Sequence, residues 1–384
     1  MSGANIPLEK NKNSRILDLL KDIPYSSRYN DEDKENQPNN YPVVSTIFPK
    51  NYIKPVAQFN GETFFDFPLP EDQFFRNALI KTSLTCEGDN SGLRKEFGIF
   101  IFSKIYLMQD SRIIQECNPS YLLSRISDLP QQSQQYYNSI ISNMNFNNTT
   151  ITIYTPLFWF FIDNESDNLL LDFHKNMYIR CVWSNLTFDS PLTGFDTSLL
   201  CYRRCFNEDY KSSFISNRYK SSSGHTNLFP YCIRTLTNTV VNGTTTTRTL
   251  IQLPILCTSI HAAILYSDNN SLNIESIQIY NGAIEVLPRL TRAENLLNSI
   301  GFSNNKYDLI PGNVGSTEFS YYFGSKNRQG FNAGIDLSEE AGPYYIIYTH
   351  TEATAEAILH INFEYTTILQ CQNSSGYLYS SLIH

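Results

Sequence analysis

The sequence has little positive charge. Its 29 Lys and Arg residues are outnumbered by 37 Asp and Glu residues, so the formal net charge is −8 at pH 7. Broad contact with nucleic-acid phosphates requires clustered Lys and Arg side chains. The tight basic pair Arg203-Arg204 lies within an apolar stretch, where it is interpreted as the polar side of a strand or turn. The composition therefore predicts no strong direct binding to nucleic acid.

Long apolar runs are also absent. The longest apolar piece, Leu157 to Ile162, is much shorter than the roughly 20 residues that a membrane-spanning helix needs. The first twelve residues are polar, which predicts no signal peptide. Residues 1–42 are predicted to form a tail, because Asp31 to Asn40 is charged and cannot bury much surface. Within this tail, Arg15 to Lys21 carries an apolar stripe suited to one or two helical turns. This stripe is expected to pack on a neighbouring subunit, to bind a membrane surface, or to remain in solvent as a frayed terminus.

Motifs that carry catalysis or hold metal ions are missing. The eight cysteines form no C-x-x-C pair, so zinc ligation is not predicted and most of them are interpreted as buried free thiols. Nucleophile elbows, phosphate-binding loops and H-E-x-x-H pairs do not occur. The histidines are scattered, and His174, just before a predicted strand, is interpreted as structural. The sequence therefore predicts no catalytic, cofactor-binding or metal-binding residue and no enzymatic activity.

Aromatic residues, in contrast, are abundant. The chain holds 25 Tyr and 25 Phe, which suit the pleated, half-buried surface of a sheet. Polar and apolar residues alternate with the period of a strand in three places: Thr150 to Tyr154, Met177 to Trp183 and Leu359 to Tyr365. The turn signals Asn242-Gly243 and Asn281-Gly282 punctuate such runs. A mainly β fold is therefore predicted.

Two predicted helices reveal an internal repeat. The first is Pro119 to Ser127 with Asn118 as its N-cap, and the second is Arg292 to Ile300 with a capping box formed by Thr291 and Glu294. Each follows a strand (Ile99 to Met108, and Ile274 to Tyr280) and a polar turn. Aligning the strands gives an offset of 172 residues (277 − 105), and aligning the helices gives 174 (296 − 122). This spacing indicates one β-sandwich plan used twice. Asp110 to Thr149 and Gly301 to Glu318 are predicted to be surface loops.

Several segments resemble, in order, those of double jelly-roll major capsid proteins, the lineage of adenovirus hexon and the nucleocytoplasmic large DNA viruses. Thr155 to Phe160 is similar to a Pro-Leu-x-Phe-Trp-Phe strand late in that family's first barrel, and Phe173-His174 resembles a Tyr-His pair that follows it. In the second half, Leu253-Pro254, Ile277 to Gly282 and Ser375 to Leu378 resemble the proline-interrupted strand, the strand with its Asn-Gly turn, and the closing glycine turn. The resemblance covers about residues 60 to 380.

The resemblance implies two tandem eight-stranded antiparallel jelly-roll sandwiches with a few short helices. The expected division is a tail at 1–42, a first jelly roll at 43–205 and a second at 206–384. The implied function is that of a viral major capsid protein whose homotrimers form pseudo-hexameric capsomers and tile an icosahedral shell. Neighbouring capsomers, penton and minor capsid proteins, and an inner membrane reached through the tail are the implied partners. The implied location is the virion, assembled in the host cytoplasm or nucleus.

Two alternatives remain open on the sequence alone. Exposed aromatics with nearby carboxylates also suit a carbohydrate-binding β-sandwich protein or a glycosidase built on one. A double jelly-roll scaffold or minor capsid protein would share the same sequence pattern as the main shell component.

Overall fold

The computed structural model describes residues 42–50, 58–59, 63–69, 74–86, 97–127, 131–141, 150–159, 169–170, 173–184, 186–187, 192–204, 212, 215–216, 225–228, 231–253, 256–267, 270–295, 317–323, 334–337, 342–366 and 369–380. Nearly all of the predicted tail, and the predicted loop at 301–318 up to residue 316, lie outside these residues. So does the second predicted helix beyond residue 295.

The first half of the chain contains three helices: α1 (Phe97–Phe100), α2 (Pro119–Ser127) and α3 (Gln131–Ile141). Its strands are, in chain order, β1 (Pro42–Ile47), β2 (Gln58–Phe59), β3 (Phe64–Pro68), β4 (Phe74–Cys86), β5 (Phe102–Gln109), β6 (Arg112–Cys117), β7 (Thr150–Pro156), β8 (Leu169–Leu170), β9 (Met177–Trp183), β10 (Leu186–Thr187) and β11 (Leu192–Arg204).

The second half contains a helical turn at 292–295. Its strands are β12 (His225–Leu228), β13 (Tyr231–Val240), β14 (Thr246–Ile251), β15 (Leu256–Tyr266), β16 (Ser271–Leu272), β17 (Ile274–Asn281), β18 (Ile284–Thr291), β19 (Phe319–Tyr322), β20 (Ile335–Asp336), β21 (Tyr344–His350), β22 (Ala357–Thr366), β23 (Leu369–Gln372) and β24 (Leu378–Ser380).

The long strands form two antiparallel sandwiches with the same connectivity. In the first barrel the sheets run β1-β11-β4-β7 and β3-β9-β5-β6. In the second barrel they run β13-β22-β15, with β19 on the far side of β15, and β14-β21-β17-β18. In both barrels one sheet takes the first, eighth, third and sixth long strands, and the other takes the second, seventh, fourth and fifth. This is the jelly-roll order, so the fold predicted from the sequence is confirmed.

The internal repeat has a structural counterpart. Strand β5 begins at Phe102 and β17 begins at Ile274, an offset of 172 (274 − 102), and both are the fourth strand of their barrel. The polar turns after them each carry a residue in the left-handed region, Asp110 (φ 51°) and Gly282 (φ 57°). Helix α2 and the helical turn at 292–295 both follow the fifth strand. The two barrels therefore present equivalent faces and equivalent helices.

Each barrel has its own buried core. Phe65, Phe102 and Trp183 pack together in the first, with ring centroids 4.9 to 5.9 Å apart. The second core is built from aliphatic and aromatic side chains such as Ile277 and Phe363. The predicted alternation holds, since Met177, Ile179, Cys181 and Trp183 are all buried on one face of β9. Because aromatic rings bury large apolar areas, each sandwich has enough core to fold around.

The predicted surface loop at 110–149 is wrong. Within that range the structure places strand β6, helix α2 and the eleven-residue helix α3. Helix α3 has few apolar residues, but Ile141 is buried in the first core and Tyr137 packs on Phe158. Those two contacts fix a helix that the sequence pattern did not reveal. The predicted strand at 99–108 likewise begins with α1 and becomes a strand at Phe102.

None of the helices in the described ranges is both long and apolar enough to cross a membrane.

Candidate functional site

Titratable side chains in the described ranges do not converge on a metal-binding arrangement, because no three His, Cys, Asp or Glu residues there are grouped to hold an ion. His174 lies just before β9 and is fully buried, with its Nδ1 atom 2.8 Å from the carbonyl oxygen of Gly376. Its contact is therefore structural, as interpreted from the sequence. The absence of catalytic, cofactor and metal sites from the whole chain stays a prediction.

The cysteines of the described core are free and buried. Burial raises the pKa of the Cys117 thiol to about 12 and raises the pKa values of Cys181 and Cys257 well above their ordinary range. A thiol reacts as its thiolate, so these groups are inert near neutral pH. The buried cysteines that the structure describes outside any disulfide are Cys117, Cys181, Cys201, Cys257 and Cys371.

The most elaborate polar site lies where the two barrels meet. Helix α2 of the first barrel packs on β15 and β22 of the second. On β15, Ile260 and Ile264 point into the second core, whereas Ala263 and Leu265 join the core of the first barrel. Residues 259–265 of β15 and 361–364 of β22 are therefore buried on both faces, one by their own sandwich and one by the neighbouring barrel.

A ring of amide and hydroxyl groups crosses this contact. Asn118 Nδ2 donates hydrogen bonds to Thr235 Oγ1 at 2.8 Å and to Asn362 Oδ1 at 3.1 Å. Asn362 Nδ2 donates to Ser120 Oγ at 2.9 Å, and Ser120 Oγ donates back to Asn118 Oδ1 at 2.8 Å. Asn118 Oδ1 also accepts from the main-chain nitrogen of Tyr121, so the N-cap predicted from the sequence is confirmed. One residue thus begins the helix and joins the barrels.

A second cluster, beside the first, contains a buried carboxylate. Tyr121 Oη donates to Glu364 Oε2 at 3.1 Å, and His261 Nε2 lies 3.5 Å from the same oxygen. His261 also contacts Ser259 Oγ through Nε2 at 3.0 Å and Ser320 Oγ through Nδ1 at 2.9 Å. Tyr121 belongs to the first barrel and the other four residues to the second. Buried charge and buried polar groups are tolerated when they are hydrogen-bonded in this way.

The residue types Ser259, His261 and Glu364 are those of a hydrolytic triad. All three are closed in by the barrel contact, with exposures of 2%, 0% and 1%. A triad acts only where its serine oxygen can reach a substrate carbonyl, and this serine has no open side. The cluster instead links the two barrels, because Tyr121 of the first donates a hydrogen bond to Glu364 of the second. Rotating one against the other would break several hydrogen bonds at once, and each broken bond would leave a buried polar group unpaired.

The C-terminal hairpin makes a further contact between distant parts of the chain. Strands β12, β23 and β24 form a small antiparallel sheet, and the buried side chains Cys371 and Leu378 belong to the core of the first barrel. The chain therefore returns to the first barrel after completing the second.

Polar groups hold this hairpin in place. Gln109 Nε2 donates to the carbonyl oxygen of Gly376, and Gln109 Oε1 accepts from the main-chain nitrogen of Leu378 at 2.7 Å. Arg112 donates to the carbonyl oxygen of Leu378 at 3.3 Å, and His174 meets Gly376 as described above. Three side chains of the first barrel thus contact main-chain atoms of one turn, and these hydrogen bonds fix the position of the turn.

The sequence reasoning did not single out any residue of the barrel contact as functional. Asn362 and Glu364 alternate with apolar residues of β22, which is the pattern of a strand with one side in solvent. They are buried because the first barrel packs on this strand, and the alternation within a single strand cannot indicate that contact. The capping signal at Asn118 was visible, but its bonds to Thr235 and Asn362 were not.

The fold is similar to that of several solved structures. The chain matches PBCV-1 VP54, in a structure fitted into a reconstruction of the virophage Sputnik, with 11% identity over 90% of this chain and 98% of that chain, at a TM-score of 0.68. It matches the PBCV-1 virus capsid with 10% identity over the same shares, at a TM-score of 0.69. The Faustovirus major capsid protein is 9% identical over 85% of this chain and 90% of its own, at a TM-score of 0.59. The fold is thus the double jelly roll of these viral capsid proteins.

Neither a family model nor a curated protein matches the sequence.

Proposed function

We propose that this chain is a viral major capsid protein. The observation that carries the proposal is the pair of jelly rolls with identical strand order, joined through a buried polar contact. A solved structure that matches 90% of this chain is named as the PBCV-1 virus capsid, and one that matches 85% is named as the Faustovirus major capsid protein. Because fold alone does not determine function, the proposal rests on the site as well. Ser259, His261 and Glu364, the described residues of this contact whose types are those of a triad, are all buried, which suits a building block.

The proposed working form is a homotrimer. Three chains with two barrels each would place six similar units in a ring, and such a block tiles an icosahedral facet with neighbouring capsomers. Penton and minor capsid proteins, and an inner membrane near the N-terminal tail, are the further proposed partners. The proposed location is the virion, after assembly in the host cytoplasm or nucleus. The division at residues 42 and 205 is proposed as the domain boundary.

Sizing tests the trimer. Size-exclusion chromatography with light scattering is expected to give a particle of three times 44.1 kDa at micromolar concentration. A stable mass of 44.1 kDa at all concentrations would contradict the capsomer. A monomer retained on a glycan array would instead favour the carbohydrate-binding alternative, and electron microscopy of virus particles would separate the main shell component from a scaffold or minor protein.

Weak contact with nucleic acid is expected. A net charge of −8 leaves few cations to displace counterions from DNA, so the dissociation constant for a duplex at physiological salt should be weaker than about 100 μM, with a shallow salt dependence. Fluorescence anisotropy with a labelled duplex at several salt concentrations measures both quantities. Nanomolar affinity with a steep salt slope would overturn the expectation.

A further inference from the structure

The contact between the barrels within one chain is of the head-to-tail kind. The element after the fifth strand of the first barrel, α2, packs on sheet β13-β22-β15 of the second. The second barrel also has an element after its fifth strand, the helical turn at 292–295. The first barrel also has the equivalent sheet, β1-β11-β4-β7. One chain therefore uses only one of the two equivalent contacts that its repeated architecture offers. A head-to-tail contact that repeats between copies closes a ring or extends a filament.

The outward side of sheet β1-β11-β4-β7, called here the first-barrel face, is polar. Its inward neighbours, such as Ile80, Ile153 and Leu199, fill the first core, so alternation places the residues between them outward. Thr46 and Asp196 are exposed, the other positions named below are half-buried, and Leu79 and Ser198 on the same side are buried. The described residues that define this face are Thr46, Lys81, Ser83, Thr152, Asp196 and Leu200.

The chemistry of this face matches that of its equivalent. Ser83 and Thr152 form a hydroxyl–hydroxyl hydrogen bond of 3.2 Å across β4 and β7. The covered face of the second barrel presents hydroxyl, amide and charged groups in the same strands, among them Ser259 and Asn362. Inside the chain such a surface is satisfied by the N-cap and first turn of α2. The first-barrel face therefore suits a partner that offers a similar polar turn.

The segment 291–294 offers such a turn. Thr291 and Glu294 are exposed, and Glu294 Oε2 accepts hydrogen bonds from the nitrogen and the hydroxyl of Thr291 at 2.8 and 2.7 Å. The capping box predicted from the sequence is thereby confirmed. Behind the turn, Arg292 donates to the carbonyl oxygen of Glu318 at 2.7 Å and Asn295 is buried, so the segment is held firmly to its own barrel. A fixed, exposed carboxylate complements the amino group of Lys81.

We propose that the first-barrel face binds the segment 291–294 of a second copy of this chain, with Glu294 placed against Lys81. The contact between copies then repeats the contact within a copy, and three copies close the ring. This inference rests on the proposed capsomer and names the surface through which its subunits meet.

Charge reversal tests the surface in the full-length protein. Lys81→Glu is expected to raise the concentration at which half the trimer dissociates by at least about tenfold. Because that concentration varies as the square root of the trimer's dissociation constant, this corresponds to about 2.7 kcal/mol per trimer. Glu294→Lys should weaken the trimer similarly, and the double variant should recover most of the loss because the pair is restored with reversed sign. Thr152→Trp, which places a bulky ring on the face, should abolish the trimer while leaving the circular dichroism spectrum of the monomer unchanged.

Lys104→Glu is the matched control. Lys104 lies on the other sheet of the first barrel, is about half exposed, and pairs with Glu116 at 3.4 Å, an exposed contact of small energetic value. It carries the same charge change and should leave the trimer intact. A wild-type trimer that tolerates Lys81→Glu and Thr152→Trp as well as Lys104→Glu would overturn this surface and leave the capsomer standing. A wild-type chain that is monomeric at every concentration would overturn both.

Discussion

Replacing Gly376 with alanine is expected to destabilise the protein by at least about 3 kcal/mol. Gly376 has a φ of +69°, in the left-handed region that a side chain disfavours. A Cβ atom at this position would lie 1.8 Å from the carbonyl oxygen of Phe173 and 2.6 Å from its carbonyl carbon. Both are main-chain atoms beside the buried His174, so neither can move aside as a flexible side chain would.

The hairpin must therefore shift, and the shift removes the bonds that Gln109 and His174 make to its backbone. Urea unfolding should show a lower midpoint, and amide hydrogen exchange should accelerate in β23 and β24 before it does so in β13 or β22. The expected loss is local first because the hairpin covers the first barrel without being one of its eight long strands.

Gly243→Ala provides the matched control for this experiment. Gly243 has a similar φ of +78°, but nothing lies within 4 Å of the position that its Cβ would occupy. Its substitution should cost only the conformational strain, roughly 1–2 kcal/mol. Equal losses of stability in the two variants would show that backbone strain alone acts at Gly376 and that the close approach to Phe173 is unimportant.

Local sequence signals predicted the elements that depend on neighbouring residues. Asn118 and Thr291 were recognisable as caps because a cap acts within three residues of itself. The alternation in β9 and β22 was readable because a strand buries every second side chain of one face. The equivalent order of strand, turn and helix in the two halves then revealed the repeated sandwich.

Contacts between distant segments were beyond such signals. Helix α3 was missed because its apolar contacts are few, and they are made to Phe158 and to the first core rather than along its own face. His261 and Glu364 look like solvent-facing residues of two strands until the neighbouring barrel covers them. The barrel contact, which is the candidate site, is therefore the part of the molecule that the sequence pattern described least.

Removing the carboxylate of Glu364 is expected to uncouple the two barrels. In Glu364→Leu, the hydrogen bond from Tyr121 Oη and the contact of His261 Nε2 with the carboxyl group are both lost inside a buried site. The loss of such buried polar contacts costs about 1–3 kcal/mol. Both tryptophans of the chain, Trp159 and Trp183, lie in the first core. Tryptophan fluorescence therefore reports the first barrel alone, whereas far-ultraviolet circular dichroism reports both barrels.

At one fixed protein concentration, the two signals of the wild-type protein should follow the same urea transition, because the barrels unfold together. In Glu364→Leu they should separate, since a weakened contact lets one barrel unfold without the other.

Tyr121→Phe keeps the ring and removes one donor, so it should give a smaller separation of the same kind. Glu275→Leu, at an exposed glutamate of β17 in the sheet of the second barrel that does not meet the first, should change stability by less than about 0.5 kcal/mol and keep the signals coincident. Coincident transitions in Glu364→Leu would mean that apolar packing by residues such as Ala263 and Leu265 is sufficient to join the barrels, and that the polar cluster does not orient them.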